Sequence, residues 1–382
     1  ATGHTYTPEQ TKAPTCVEEG EMTYTCACGD SYTEAIPTIG HSYTSAADST
    51  CNVCGEKRSY DEVTPIEDAS LNIQKHNIDM TSSLALGFRL EKTAIANAAD
   101  FFVKLYKEEG KLAQNSSLTV TNITAASNGN FYAYYPVPAC EMSDVVEAVL
   151  YVVDEDGTVR CSQVDRYSVK DYLFLVLSSY YNSADARKVA QATIAMELLY
   201  YGAEAQSIFD YKKDAPVTDD LANYPEYSGL RLKTTVDPVN SRNWGANDGE
   251  VTFVGSNVEL QEKINNLIKI DVSKLTSADR SELVAVVKNQ KTGEVLQTVA
   301  FAEFDFIAGN QYYVPVTQIP PAYMQTIYTI EIYAGDVQVS STATYSVESY
   351  VRLAIDANNR FAPVALAGLK YGIAVAEFAA MY

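Results

Sequence analysis

Positive charge is scarce in this sequence. Its 382 residues include 28 lysines and arginines against 49 aspartates and glutamates, which gives a formal net charge of −21. Proteins that bind nucleic acid or anionic membrane surfaces need a basic face, and the chain has no run rich in lysine and arginine. No apolar stretch approaches the roughly 20 residues that span a bilayer. We therefore expect neither a nucleic-acid partner nor membrane insertion.

Histidine is also scarce, and this limits the catalytic chemistry that can be expected. The chain has three histidines, His4, His41 and His76, and the first two lie in a cysteine-rich segment. A serine or cysteine nucleophile would therefore depend on His76 alone as its base. The chain contains neither a glycine-rich phosphate-binding loop nor a His-Glu-x-x-His zinc motif. These absences predict a protein that is not an enzyme.

Tryptophan is nearly absent, whereas tyrosine is abundant. The chain has one tryptophan, Trp244, and 28 tyrosines, many of them in adjacent pairs. A tyrosine ring combines apolar area with a polar hydroxyl end, which suits both half-buried sheets and binding surfaces, and both interpretations stay open. Six aromatic residues are candidates for stacking against a sugar: Tyr132, Tyr134, Tyr135, Trp244, Tyr312 and Tyr313.

Cysteine is concentrated at the start of the chain. Five of the seven cysteines fall within the first 54 residues, together with two of the histidines. Residues 1–62 are poor in aliphatic side chains, so this segment needs a metal ion or cross-links to hold its shape. The five cysteines are Cys16, Cys26, Cys28, Cys51 and Cys54.

Two close pairs of cysteines give this segment the spacing of metal ligands. Cys26 and Cys28 form one pair, and Cys51 and Cys54 form the other. A glycine follows each pair, which is the turn that lets two thiolates approach one tetrahedral ion. The four thiolates together predict one zinc site in a small zinc ribbon, with zinc as the only expected cofactor.

Two alternatives to this zinc site stay open. In the first, one site is closed within the first repeat, and the remaining ligands of the second repeat are incomplete. The closed set would be His4, Cys16, Cys26 and Cys28, and the incomplete set would be His41, Cys51 and Cys54. In the second alternative the segment holds no metal, and its thiols form disulfides or remain free.

The chain contains two internal repeats. The pentapeptide GHTYT at residues 3–7 recurs as GHSYT at residues 40–44. Farther along, YSVKDY at residues 167–172 recurs as YSVESY at residues 345–350, each copy preceded by alternating apolar runs and followed by an alanine-rich stretch. The second repeat predicts two copies of one module.

The composition divides the chain into five parts. Residues 1–62 form the Cys/His-rich segment, and the two modules are expected at 71–213 and 228–382. The stretches 63–70 and 214–227 are interpreted as linkers.

Strands are expected first in each module and a helix last. Alternating apolar runs of four to eight residues predict antiparallel strands, and the stretch Asp154–Gly157 predicts a hairpin turn between two of them. Asn97–Lys111 suits a helix as well as a strand. Helix-forming stretches with apolar periodicity lie at Ala184–Phe209 and Arg360–Met381. The predicted fold is mainly β with α: a small Cys-rich N-terminal segment followed by two tandem antiparallel β-sandwich modules, each ending in an amphipathic helix.

The N-terminal repeats resemble a known kind of sequence. The motifs GHTY at 3–6, APTC at 13–16 and MTYTCACGD at 22–30 are similar to short Cys/His repeats in very large secreted surface proteins of anaerobic, gut-dwelling Gram-positive bacteria. GHSY at 40–43 with CNVCG at 51–55 resembles a sister repeat of those proteins. That sister repeat usually has one more cysteine where this chain has Ala47, which implies that the second repeat lacks a ligand.

The modules resemble domains of the same surface proteins. The likeness lies in YSVKDY at 167–172, LYYGAEAQ at 199–206 and LAN at 221–223. It implies an extracellular protein on the cell surface that is involved in adhesion or polysaccharide capture, with a polysaccharide or a host or other surface protein as its partner. The alternative is a structural spacer or self-assembling surface subunit with no ligand of its own.

Overall fold

Strands make up most of the regular structure, as the alternating apolar runs predict. The computed structural model describes residues 3–79, 84–107, 117–233, 235–260, 264–276, 278–317 and 319–382. Within these residues the chain forms several β-sheets and some helices, with a cysteine-rich region at its N-terminus.

The N-terminal region contains a small antiparallel sheet with almost no buried side chains. Its strands are β1 (Tyr6–Lys12), β2 (Gly20–Cys26) and β3 (Ser31–Ile36), in the order β1-β2-β3. Aromatic pairs replace a core here, because Tyr24 stacks on Tyr32 at 4.8 Å and Tyr6 contacts Tyr32 edge-on at 4.9 Å.

Two further sheets follow. One has the strand order β5-β6-β9, and the other has the order β4-β11-β10-β7-β8 with β12 beside β10. A single helical turn, α1, lies between β6 and β7. The bounds are β4 (Ile66–Glu67), β5 (Ile73–Asp79), β6 (Ala85–Leu90), α1 (Lys92–Ile95), β7 (Asp100–Lys107), β8 (Ser117–Val120), β9 (Phe131–Pro136), β10 (Val146–Val153), β11 (Val159–Cys161) and β12 (Asp165–Tyr167).

The second half of the chain repeats this strand order. Its sheets are β13-β14-β18-β17 and β16-β15-β19-β20 with β21 beside β19. Thus β13, β14 and β18 correspond to β5, β6 and β9, and the second sheet corresponds to β8-β7-β10-β11. The bounds are β13 (Thr252–Leu260), β14 (Ile264–Asp271), β15 (Leu283–Asn289), β16 (Val295–Ala300), β17 (Asp305–Ala308), β18 (Gln311–Val316), β19 (Tyr328–Ala334), β20 (Val337–Gln338) and β21 (Ala343–Tyr345).

Each half has one main hydrophobic core to which both of its sheets contribute. In the first half, Leu86 and Phe88 of β6 lie in the same core as Val103 and Leu105 of β7. In the second half, β19 alternates buried and half-buried residues along its length, as a strand with one face on a core does. The segment Asn97–Lys111, which suited helix or strand, contains β7 as far as Lys107, and residues 108–111 lie outside the described residues.

Each half ends in a pair of helices rather than in the single helix predicted. The pairs are α2 (Val169–Tyr180) with α3 (Ala186–Phe209), and α4 (Val347–Asp356) with α5 (Ala362–Ala379). The recurring hexapeptide is the start of the first helix in each pair, because Ser168 accepts from the backbone N–H of Asp171 and Ser346 from that of Ser349.

The prediction that these long helices are amphipathic is wrong for α3. Six consecutive residues, Ile194 through Leu199, are buried, so the helix is enclosed on several sides. It packs against α2, against a 3-10 turn at Ala139–Glu141 and against α5. A helix that packs on a sheet with one face alone would not bury consecutive residues.

Helix α5 joins the two halves. Its Val364 and Tyr371 belong to the first core, and its Ala365 and Leu369 belong to the second. The repeat-equivalent rings of Tyr201 and Tyr371 stack at 6.3 Å where α3 crosses α5. The expectation that no apolar stretch approaches a membrane-spanning length is wrong for α5, which has 18 residues and a mean hydropathy of 1.3. Half of this helix is buried in the protein, and the core helices of soluble proteins can be equally long and apolar.

Both stretches interpreted as linkers are packed against neighbouring parts of the chain. In the first, Val63 is buried, and Ile66–Glu67 forms β4, which pairs in parallel with β11. In the second, the buried Val217 donates its backbone N–H to the side chain of Gln206 at 2.7 Å. Neither stretch is therefore a free tether.

The second Cys/His repeat docks on the hairpin between β10 and β11. The turn Asp154–Gly157 forms as predicted, and Gly157 has a φ of +88°. Ser49 donates its backbone N–H to the carbonyl of Gly157 at 2.9 Å, and Val159 donates to Ala47 at 2.9 Å. A Cβ at position 157 would lie 2.6 Å from the hydroxyl of Thr50, so glycine permits this close approach.

Candidate metal centre

The thiols and imidazoles of the N-terminal region gather into two separate clusters. The four-ligand cluster comprises Cys16, His41, Cys51 and Cys54, and its ligand atoms all lie within 4.8 Å of one another. Cys16 and Cys51 are buried, whereas His41 and Cys54 are exposed. The cluster could hold a metal ion.

Local backbone structure brings these four residues together. The hairpin of β2 and β3 places Ile36 opposite Gly20, and farther on Ile39 donates its N–H to the carbonyl of Thr15 at 3.1 Å. The chain approaching His41 therefore passes beside Cys16. Cys51 and Cys54 are held in one turn, in which Gly55 donates to the carbonyl of Cys51 at 2.9 Å.

Atom contacts within the four-ligand cluster are close. The Sγ atoms of Cys16 and Cys51 are 3.8 Å apart, and Sγ of Cys54 lies 3.4 Å from Nδ1 of His41. The other ring nitrogen of His41, Nε2, lies 3.6 Å from a carboxylate oxygen of Glu56. A carboxylate behind a ligating imidazole fixes the orientation and tautomer of the ring in many metal sites.

The two buried thiols of this cluster have opposite electrostatic environments. Backbone N–H groups, that of Cys54 first and those of Ser42 and Val53 after it, lower the pKa of Cys51 to about 5. Burial, followed by hydrogen bonding to the sulfur atoms of Cys54 and Cys51, raises the pKa of Cys16 to about 12. A cation beside both sulfur atoms would allow both to be thiolates.

The three-ligand cluster comprises His4, Cys26 and Cys28. Sγ of Cys28 lies 2.8 Å from Sγ of Cys26 and 3.2 Å from Nδ1 of His4. His4 and Cys28 are exposed and Cys26 is half-buried. Hydrogen bonds from the side chain and then the backbone of Cys28, and from His4, lower the pKa of Cys26 to about 7.

These clusters differ from the predicted zinc site of Cys26, Cys28, Cys51 and Cys54. The two cysteine pairs lie in different clusters, because the first pair stands at the turn after β2 and the second pair lies in the repeat docked on the β10–β11 hairpin. The alternative set that placed Cys16 with the first pair also does not form. The five cysteines of the two clusters are free thiols in this structure.

The predicted zinc site left out two ligands of the four-ligand cluster, Cys16 and His41; His41 stood only in the incomplete alternative set. Cys16 takes the fourth place in the cluster of the second repeat, where the resemblance implied a missing ligand at Ala47. Ala47 is itself buried, with its carbonyl accepting from Val159. The antiparallel pairing of β2 with β3 turns the chain back toward Cys16, and a prediction of this hairpin would have been needed to place Cys16 in the cluster. Glu56, behind His41, was also missed.

No protein-family model matches this chain, and no curated protein matches it either. Its function is therefore inferred from its residues and their geometry.

Half of the predicted sugar-stacking aromatics are engaged within the protein. Tyr135 is 5% exposed and belongs to the first core. The ring of Trp244 stacks between Phe253, at 5.7 Å, and Tyr345, at 6.0 Å. Tyr312 contacts Phe301 and Phe306 at 5.0 and 5.6 Å.

Tyr132 and Tyr134 form a half-buried pair on the other face of β9 from Tyr135. Their rings stack at 5.8 Å, and the hydroxyl of Tyr134 accepts from the side chain of Asn77 at 3.1 Å. Arg89 is paired with Tyr132 in the neighbouring strand. Nε of Arg89 and Oδ1 of Asn77 are buried without a hydrogen-bond partner. Both of these unpaired polar atoms lie out of contact with solvent.

Two residues from the sequence analysis remain to be described: Tyr313, a candidate for stacking on a sugar, and His76, the histidine that lies outside the cysteine-rich segment. Tyr313 is half-buried on β18, in the other half of the chain from the Tyr132–Tyr134 pair, so the six aromatics do not line one site. Nε2 of His76 lies 2.6 Å from the carboxylate of Asp165, and the imidazole stacks on Tyr167 at 3.7 Å. These contacts tie β5 to β12.

Proposed function

We propose that this protein is a non-catalytic structural spacer of an extracellular surface protein, with a zinc-stabilised N-terminal segment docked on the first of two tandem β-sandwich modules. The observation that carries the proposal is the sharing of α5 between the two cores. A shared helix makes the modules one mechanical unit, which is the property that a spacer needs. The extracellular location rests on the resemblance of the Cys/His repeats alone.

The repeated strand order supports the sandwich part of this proposal. In each half, one sheet of three or four strands and one sheet of five or six strands contribute side chains to a common core. Two antiparallel sheets that share a core in this way are the arrangement of a β-sandwich. The packed linkers add to the stiffness of the whole.

Zinc in the four-ligand cluster is supported by the distances between its ligand atoms. Zinc–sulfur bonds of about 2.3 Å and zinc–nitrogen bonds of about 2.0–2.1 Å place two sulfurs about 3.8 Å apart, and a sulfur and a nitrogen about 3.5 Å apart, on a tetrahedron. The corresponding distances here are 3.8 Å between Cys16 and Cys51, and 3.4 Å between Cys54 and His41. Three thiolates and one imidazole form a common structural zinc set.

Zinc content and small-angle X-ray scattering test this proposal together. The zinc-loaded full chain is expected to scatter as one compact body that resists interdomain bending. Cys51→Ser is expected to lose the zinc of the four-ligand cluster, whereas Cys161→Ser, which alters a thiol outside both clusters, keeps it. A broad distribution of dimensions in the loaded chain, or unchanged zinc content in Cys51→Ser, would contradict the proposal.

Polysaccharide binding is the second candidate function, favoured by the face that carries Tyr132 and Tyr134. Aromatic rings stack on the apolar faces of sugars, and the rings of Tyr132 and Tyr134 are half-buried side by side, with their centroids 5.8 Å apart. A glycan array with soluble starch, mucin and plant polysaccharides tests it. Binding lost in Tyr132→Ala/Tyr134→Ala but retained in Tyr313→Ala would establish this function and replace the spacer as the main one.

A further inference from the structure

The two metal-ligand clusters are built from the same three donors. Each has a histidine that follows a glycine, and a close pair of cysteines that precedes one. Gly29 and Gly55, which follow the two pairs, both have positive φ, at +88° and +74°. Each donates its backbone N–H to the carbonyl of the first cysteine of its pair. The two repeats therefore present their thiols in the same kind of turn.

The clusters differ in their fourth donor. In the four-ligand cluster this donor is Cys16, which comes from the other repeat. Among the residues that the structure describes, no further cysteine, histidine or carboxylate joins the three-ligand cluster within 4.8 Å. The nearest acid along the chain, Asp30, accepts a hydrogen bond from the hydroxyl of Tyr6 at 2.5 Å. The residues that the structure describes therefore leave one coordination position of a tetrahedral ion open.

The donors around the open position are accessible to solvent. His4 and Cys28 are exposed, as are their counterparts His41 and Cys54, but the buried fourth donor that Cys16 supplies to the other cluster has no counterpart here. Beside the open position lies an aromatic face, since the ring of Tyr6 stacks on His4 at 5.8 Å and contacts Tyr32, which stacks on Tyr24. A peptide that reached the metal would find apolar contact area next to it.

We propose that His4, Cys26 and Cys28 form a second, open zinc site whose fourth ligand is a cysteine thiolate from another peptide. A thiolate is the expected ligand because the four-ligand cluster has the same three donors, one histidine and a pair of cysteines. Its fourth donor is the thiolate of Cys16, which comes from outside the repeat that supplies the other three. Binding is a ligand exchange in which the incoming thiol loses its proton to solvent and displaces a water molecule from zinc. No oxidation is involved.

Cobalt substitution of the full chain tests this site, because Co²⁺ replaces Zn²⁺ and its visible absorption reports the ligands. We expect two equivalents of Co²⁺ to bind, the second more weakly than the first. Adding an unstructured peptide with one cysteine is expected to shift the ligand-field bands of the second equivalent and to strengthen its sulfur-to-metal charge-transfer band. The matched peptide with serine is expected to change neither.

Variants separate this site from the structural one. Cys28→Ser is expected to abolish the response to the cysteine peptide, and Cys161→Ser to leave it intact. Cys51→Ser/Cys54→Ser, which removes the cysteine pair of the four-ligand cluster, is expected to abolish metal binding there while the peptide response persists, so the two proposals can fail independently. Binding of one equivalent only, or a response to imidazole but none to the cysteine peptide, would overturn the proposal.

Discussion

At the residue scale, the two buried cysteines of the four-ligand cluster, Cys51 and Cys16, have opposite electrostatic surroundings. Cys51 receives backbone N–H groups that favour the thiolate, whereas Cys16 is buried beside other sulfur atoms that disfavour it. Both are needed as thiolates to hold a zinc ion, and the ion supplies the positive charge that makes this favourable. Metal binding and folding of this region are therefore expected to be coupled.

Asp68 provides a pH-dependent prediction at the point where β4 joins the first module. Hydrogen bonds from the side chain and backbone of Ser70, and then from Arg160, lower the pKa of Asp68 to about 2. Since the folded-state pKa lies below the ordinary value of about 3.9, the stabilisation is present above about pH 4 and is lost as the pH falls through 2.

Carboxyl NMR titration of the full chain measures this directly. We expect Asp68 to titrate near pH 2, and its pKa to rise toward the ordinary value both in Ser70→Ala and in Arg160→Gln. An ordinary pKa for Asp68 in the unmodified protein would show that the carboxylate does not hold these partners in solution.

Trp244 tests whether the predicted ligand-binding aromatics are structural. Its ring is half-buried between Phe253 and Tyr345, and full truncation of a buried tryptophan costs about 3–5 kcal/mol. We expect Trp244→Ala to lower the free energy of unfolding by about half of that, as measured by urea denaturation. Tyr323→Ala, at a tyrosine that is 57% exposed, is the control and is expected to change it by less than about 0.5 kcal/mol. Equal effects of the two substitutions would contradict a structural role.

At the element scale, a glycine sets the close packing of each long helix. A Cβ at Gly372 of α5 would lie 2.6 Å from Sδ of Met324 and 2.7 Å from the carbonyl oxygen of Pro321. Gly202 of α3 stands in the repeat-equivalent position, against Met142 and Ala139. The recurring Tyr-Gly pair of the sequence is thus a helix-packing motif.

Gly372→Ala is therefore expected to destabilise the protein by about 1–3 kcal/mol, the usual cost of overpacking. Gly229→Ala is the matched control, because a Cβ there meets nothing within 4 Å, and it is expected to be neutral or slightly stabilising. Chemical denaturation followed by circular dichroism measures both variants. A neutral Gly372→Ala would show that α5 does not pack this closely.

The elements with strong local signals could be predicted from the sequence. The hairpin at Asp154–Gly157 was predicted from its acidic residues and glycine, and the long helix at Ala186–Phe209 from its helix formers. Helix α2 was missed because its start was read only as a repeated motif, although Ser168 and Asp171 form a capping box. The grouping of the thiols depended on which strands pair, and spacing along the chain does not contain that information.

At the scale of the whole molecule, contacts between distant parts of the chain determine whether these parts unfold together. The second Cys/His repeat is hydrogen-bonded to the β10–β11 hairpin, and α5 contributes to both cores. Arg231, beyond the second predicted linker, pairs with the buried carboxylate of Glu197 on α3 at 2.8 Å. These contacts predict that the two halves of the chain unfold together rather than one after the other.

The single tryptophan makes this central claim directly measurable. Trp244 lies in the second half, so its fluorescence reports the unfolding of that half. Gly202→Ala destabilises the first half, where a Cβ would lie 2.9 Å from Sδ of Met142 and 3.1 Å from the carbonyl of Ala139. The measurement is urea unfolding of this variant followed by Trp244 fluorescence. If the two halves unfold as one cooperative unit, the midpoint measured by fluorescence falls to a lower urea concentration together with the midpoint measured by circular dichroism. An unchanged fluorescence midpoint, beside a circular dichroism signal that is lost at lower urea concentration, would contradict the account.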